Sequence, residues 1–75
     1  MDTTGRHPST THVAQFFTFE HLPEDLKAIS REAHDLANCM IATLKDGPEL
    51  TAGLRHLLEA KDCFVRAALI ERSNQ

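Results

Sequence analysis

The stretch from Pro23 to Pro48, PEDLKAISREAHDLANCMIATLKDGP, decides the fold. Leu22, Leu26, Ile29, Ala33, Leu36 and Met40 follow one another at spacings of 4, 3, 4, 3 and 4, and Ala37, Ile41 and Leu44 widen the stripe. That period places one apolar face on a helix. Pro23 suits the first helical position, where its missing N–H costs nothing, and Glu24 and Asp25 set negative charge in the first turn against the helix dipole. Lys45 suits the last turn, and Asp46-Gly47-Pro48 forbids continuation. The spacing predicts a helix over about residues 23–45.

Pro48 and Glu49 repeat the starting signal, so a second helix is expected over about residues 48–71. It carries Leu50, Leu54, Leu57, Leu58, Val65, Ala68 and Leu69 on one side, with Phe64 beside them. A connection this short makes the two helices antiparallel. Each has roughly 23 residues and a length of about 35 Å. Gly53 is the weak point of the second helix, at roughly 1 kcal/mol relative to Ala, unless it allows another backbone to approach closely. The adjacent pairs Leu57 and Leu58, Phe64 and Val65, and Leu69 and Ile70 make this helix apolar over more than one face. One face meets the first helix, and the other calls for a partner chain.

Working outward, residues 1–15, MDTTGRHPSTTHVAQ, contain five Ser or Thr and three apolar side chains, and read as a flexible N-terminal arm. Residues 16–72 then form the helical hairpin domain. The expected fold is all-α: two long antiparallel helices assembling into a homo-oligomeric helical bundle. Size points the same way, because 75 residues and 8.4 kDa make one small domain. Such a domain buries too little surface to be comfortable as a monomer.

Composition excludes several classes. Two cysteines, Cys39 and Cys63, cannot build a disulfide scaffold, and both are expected as small core hydrophobes in a reducing compartment. No charged-then-apolar segment opens the chain, and no apolar run is long enough to span a bilayer, so a cytoplasmic protein without a membrane partner is expected. A formal charge of −3 lacks the basic excess that duplex DNA or long RNA requires. No catalytic spacing or Gly-rich phosphate loop occurs, so an enzyme is not expected and no catalytic residues are assigned. His7, His12, His21, His34 and His56 show no ligand spacing with one another or with the cysteines, so neither a metal site nor a cofactor is expected.

The residues that break the pattern carry the ligand chemistry. Lys61 stands within the apolar stripe of the second helix, either as a stem covering apolar surface with its head in water or as a cation held for an anion. Arg55 with Glu59 and Asp62 with Arg66 are spaced as helical ion pairs. Phe17 and Phe19 point the same way in an extended segment, either to cover the open end of the helix pair or to stack on a base. His34 lies at the stripe border, as a core-edge histidine or a ligand contact. Phe19, His21, Lys61 and Arg66 together suit a small nucleotide, and Arg55, Lys61 and Arg66 repeated by symmetry suit its phosphates.

Phe19-Glu20-His21-Leu22-Pro23 and the stretch from Thr51 to Ala67, TAGLRHLLEAKDCFVRA, resemble short phage proteins of the anti-CBASS and anti-Thoeris helical-hairpin family, the nucleotide sponges. With the Asp46-Gly47-Pro48 turn, the resemblance covers about residues 16–70. It implies a non-enzymatic protein that assembles into oligomers, commonly hexamers, in the host cytoplasm. Such proteins withhold cyclic oligonucleotides or cyclic ADP-ribose isomers from immune effectors at pockets between subunits. It further implies that Phe19 stacks on a base, that His34 stands where some members place a phosphate-binding basic residue, and that Arg66 is the helical arginine of the motif. The other reading of the same residues is an oligomeric interaction or structural module without a nucleotide ligand.

Overall fold

The computed structural model describes residues 1–74, and every regular element among them is helical. Three α-helices follow in order: α1, Pro8–Ala14; α2, Glu24–Thr43; and α3, Pro48–Ser73. A 3₁₀ turn, Gln15–Phe17, continues α1. The longest dimension is 44 Å. Among the described residues, no helix is long and apolar enough to cross a membrane.

The residues expected to be a flexible arm, 1–15, contain α1 and the first residue of the 3₁₀ turn, and α1 supplies part of the core. Pro8 takes the first helical position, and the His7 ring nitrogen Nδ1 accepts from the Ser9 N–H at 3.1 Å to cap it. Thr10, Val13, Ala14 and Phe17 are buried and stand at i, i+3, i+4 and i+7, a single helical face. Composition hid this face because one of its four members is a threonine. The Thr10 hydroxyl is satisfied by Asp46 Oδ1 at 2.8 Å, thirty-six residues along the chain.

α2 begins one residue later than expected, with Pro23 as its cap, and ends at Thr43. Its Leu26, Ser30, Ala37 and Ile41 are buried. Leu44 is extended, and its N–H still bonds the Met40 carbonyl at 2.9 Å. α3 starts at Pro48 as expected, with Glu49 in the first turn and Arg72 in the last complementing the dipole. Its buried residues are Leu50 and Leu54, both within the first two turns.

The core gathers Val13, Ala14, Phe17, Ala37, Ile41, Leu50 and Leu54 from all three helices, with Ala33, Met40, Leu57 and Leu58 packed around them. Burying such side chains contributes about 1.5–3 kcal/mol each for the larger ones. A polar clasp locks α1 over this core. Asp46 accepts from Arg6 Nε at 3.0 Å, from the His7 N–H at 2.9 Å and from Thr10. Arg6 also donates to the carbonyls of Ile41 and Leu44, so it satisfies acceptors that the end of α2 leaves open. At the far end, Arg72 reaches Asp25 through two nitrogens, with Nε 3.0 Å from Oδ2.

Both cysteines are exposed, contrary to the expectation of core positions. Cys39 falls beside the buried Ala37 and Ile41 face of α2, and Cys63 falls on the part of α3 that has no buried residue.

Candidate functional site

The segment between α1 and α2 meets the middle of α3 at a cavity of about 340 Å³. Its wall includes Phe16, His21, Ser30, Lys61, Asp62 and Arg66. His21, Lys61 and Arg66, chosen from the sequence, therefore share one site. Lys61 does not simply extend into water: Nζ donates to the Phe16 carbonyl at 2.8 Å, where the 3₁₀ turn leaves an acceptor open. The same ammonium lies 5.9 Å from the Phe17 ring centre and 3.8 Å from Asp62 Oδ1. Arg66 Nη2 donates to Cys63 Sγ at 3.3 Å, a weak acceptor that leaves most of the guanidinium free.

Ser30 adds a feature that was not expected. Its side chain is fully buried, and Oγ has no hydrogen-bond partner among the described residues. A desolvated hydroxyl without a partner costs about 1–3 kcal/mol. That oxygen is closed off from the cavity, so the wall presents no Ser30 hydroxyl to a ligand. Its sequence signal was its place one helical turn after Leu26 on the buried stripe, where a polar side chain is out of pattern.

The aromatic assignments change. Phe17 is completely buried among Val13, Ile41 and Leu54, so its ring is core and offers no face to a ligand. Phe19 is also buried, and its ring is already engaged. The His34 ring meets it at 4.9 Å between centres in an edge arrangement, and the Arg31 guanidinium sits 5.2 Å from its centre. Phe16, passed over in the sequence, is the exposed phenyl ring beside the cationic cavity. It makes one edge contact, with His12 at 5.4 Å.

His34 and Arg55 lie apart from this site. His34 lines a smaller cavity of about 230 Å³ with Thr18 and Glu20, and its Nδ1 is 3.1 Å from Asp35 Oδ1. Glu20 accepts from the Phe19 N–H at 3.3 Å, and its own N–H and that of Phe19 hold its carboxyl below the usual range. Two carboxylates therefore flank His34, a poor setting for a phosphate. Arg55 lines a separate cavity of about 600 Å³ with His7, Ser9, Asp46 and Thr51 at the start of α3. The helical ion pairs expected for Arg55 and Arg66 give way to others: Glu59 approaches His56 at 3.9 Å, and Asp62 approaches Lys61.

A second kind of surface runs along α2 and α3. Leu36, Leu44, Phe64, Leu69 and Ile70 are exposed. Two apolar grooves that share Leu36 and Leu57 connect much of this face. Compared with known proteins, the chain matches no family model, no curated protein and no solved structure.

Proposed function

We propose that this protein is a non-enzymatic anti-defence protein of the nucleotide-sponge kind. In this reading it binds and withholds small anionic cyclic nucleotides, cyclic oligonucleotides or cyclic ADP-ribose isomers, at pockets completed between subunits in the host cytoplasm. The observation that carries the reading is the cavity whose wall brings Lys61, Arg66 and His21 together beside the exposed Phe16 ring. Cations suit phosphate, and an exposed ring suits a base. At about 340 Å³ the cavity is at the small end for a ligand pocket. A second subunit would extend it. α2 and α3 act here as the antiparallel hairpin of the assembly, a reading supported by the Asp25–Arg72 tie at one end and the short 44–47 connection at the other.

The test is thermal unfolding and titration against a panel of cyclic dinucleotides, cyclic trinucleotides and cyclic ADP-ribose isomers. A true ligand raises the midpoint in proportion to RT ln(1 + [L]/Kd). Arg66→Ala should weaken binding by about tenfold or more, the scale of one charge-assisted hydrogen bond. Ser30→Ala should stabilise the free protein and leave ligand binding unchanged. If no member of the panel shifts the wild type, the other reading, an oligomeric interaction module without a nucleotide, takes its place. The exposed apolar face of α2 and α3 favours that second reading.

A further inference from the structure

Gly53 stands inside α3, and nothing in the chain's own fold requires a glycine there. Its backbone is helical, and a Cβ built on it meets no atom within 4 Å. Alanine would fit and would favour the helix. The surface beside Gly53 is a groove of about 290 Å³ between α2 and α3, walled by Met40, Leu44, Leu50, Leu54 and Leu57. An apolar groove opening at a bare stretch of helix backbone is suited to a second helix at short interaxial distance.

The occupant follows from the patch itself. It offers both halves of a contact: the groove, and at its wall the half-exposed Leu36 and Leu44, which can enter an identical groove. A two-fold interface requires such a self-complementary patch. The flanking charges also agree. Glu49 lies one turn before Gly53 and His56 one turn after it, on the same side of the helix, whereas Arg55 faces away toward His7 and Ser9. An antiparallel crossing centred on Gly53 sets the Glu49 carboxylate of each copy, an acceptor, near the His56 ring of the other. A parallel crossing would instead bring like charges together.

We propose that a second copy of this chain packs α3 against α3, antiparallel, with the two backbones closest at Gly53. The proposal rests on the self-association in the proposed function, and it does not require a nucleotide. Sedimentation velocity of the full chain, from low micromolar to the highest soluble concentration, tests it together with thermal unfolding. Gly53→Ala should raise the unfolding midpoint of dilute protein and weaken self-association by about tenfold, because an added methyl overpacks the crossing. Gly53→Leu should abolish association while circular dichroism remains helical. Unchanged association in both variants overturns the proposal, as does a wild type that stays monomeric throughout or that assembles only with another protein. Should the non-associating variants still show full cyclic-dinucleotide shifts, the Gly53 crossing stands and the pocket between subunits falls.

Discussion

The two halves of α3 live in different environments. Its first two turns sit under α1 and against the end of α2, where Leu50 and Leu54 are buried with Phe17 and Ile41. From Leu57 onward no residue of α3 is buried, and Phe64 and Ile70 are each 62% exposed. The chain closes one end with α1 and a polar clasp. It leaves the other half held by Lys61, by the Arg72–Asp25 pair and by partly buried side chains such as Leu58. A helix of one sequence character throughout is thus half core and half surface, and the difference lies in what the N-terminal segment covers.

The strongest way to break this contrast is at Phe17. Phe17→Ala should cost about 3–5 kcal/mol, the range for truncating a fully buried aromatic ring. That is a large share of the roughly 5–15 kcal/mol that a small domain possesses. Urea unfolding followed by circular dichroism measures it. A loss below about 1 kcal/mol would mean that the N-terminal segment does not hold the closed end.

The clasp should reveal itself through acid. The His7 N–H, then the Thr10 hydroxyl and Arg6, hold the Asp46 carboxyl below its ordinary value of 3.8, against partial desolvation. A carboxylate lowered in the folded state contributes stability that is fully present above the unfolded value and is lost as pH falls through the folded one. The unfolding midpoint should therefore be level near neutrality and fall as pH drops toward and below 3.8. Asp25, lowered chiefly by its hydrogen bond from Arg72, acts in the same direction at the open end. Asp46→Asn should reduce midpoint stability near neutrality and flatten the acid limb. An acid limb unchanged in Asp46→Asn would assign the pH dependence to Asp25 and the other carboxylates.

The contrast also explains what was legible in the sequence. The long helices declare themselves locally, through the 3-4 spacing of residues 22–44 and the Asp46-Gly47-Pro48 stop. The excess apolar faces of α3 are equally legible, and Phe64 and Ile70 are indeed exposed. The closed end is not local. Thr10 looks solvent-facing until Asp46 is placed beside it, and Lys61 looks stranded until the Phe16 carbonyl is placed above it. The candidate site residues follow the same rule. Lys61 and Arg66, five residues and about 140° apart on α3, reach one cavity through the 15–22 segment laid across them, and the burial of Phe17 and the engagement of Phe19 depend on how that segment folds back. A count of apolar residues also missed α1, whose buried face includes a polar side chain satisfied from a distance.

The smallest effect is expected at the open end, and its smallness is informative. Phe64 lines a groove with Ile29, Ala33, Leu36 and Leu57, yet most of its ring faces water. Phe64→Ala should change the stability of dilute protein by less than about 0.5 kcal/mol, as for an exposed position away from the core. At high concentration the two proteins should separate, because a ring buried by a partner contributes what a ring in water does not. The wild-type midpoint should rise with concentration by mass action, and that of Phe64→Ala should rise less. Equal slopes would remove Phe64 from the assembly surface and confine the partner to the groove at Gly53. A large loss already present at low concentration would mean instead that the open half of α3 is packed within the single chain, and the contrast between the two halves would disappear.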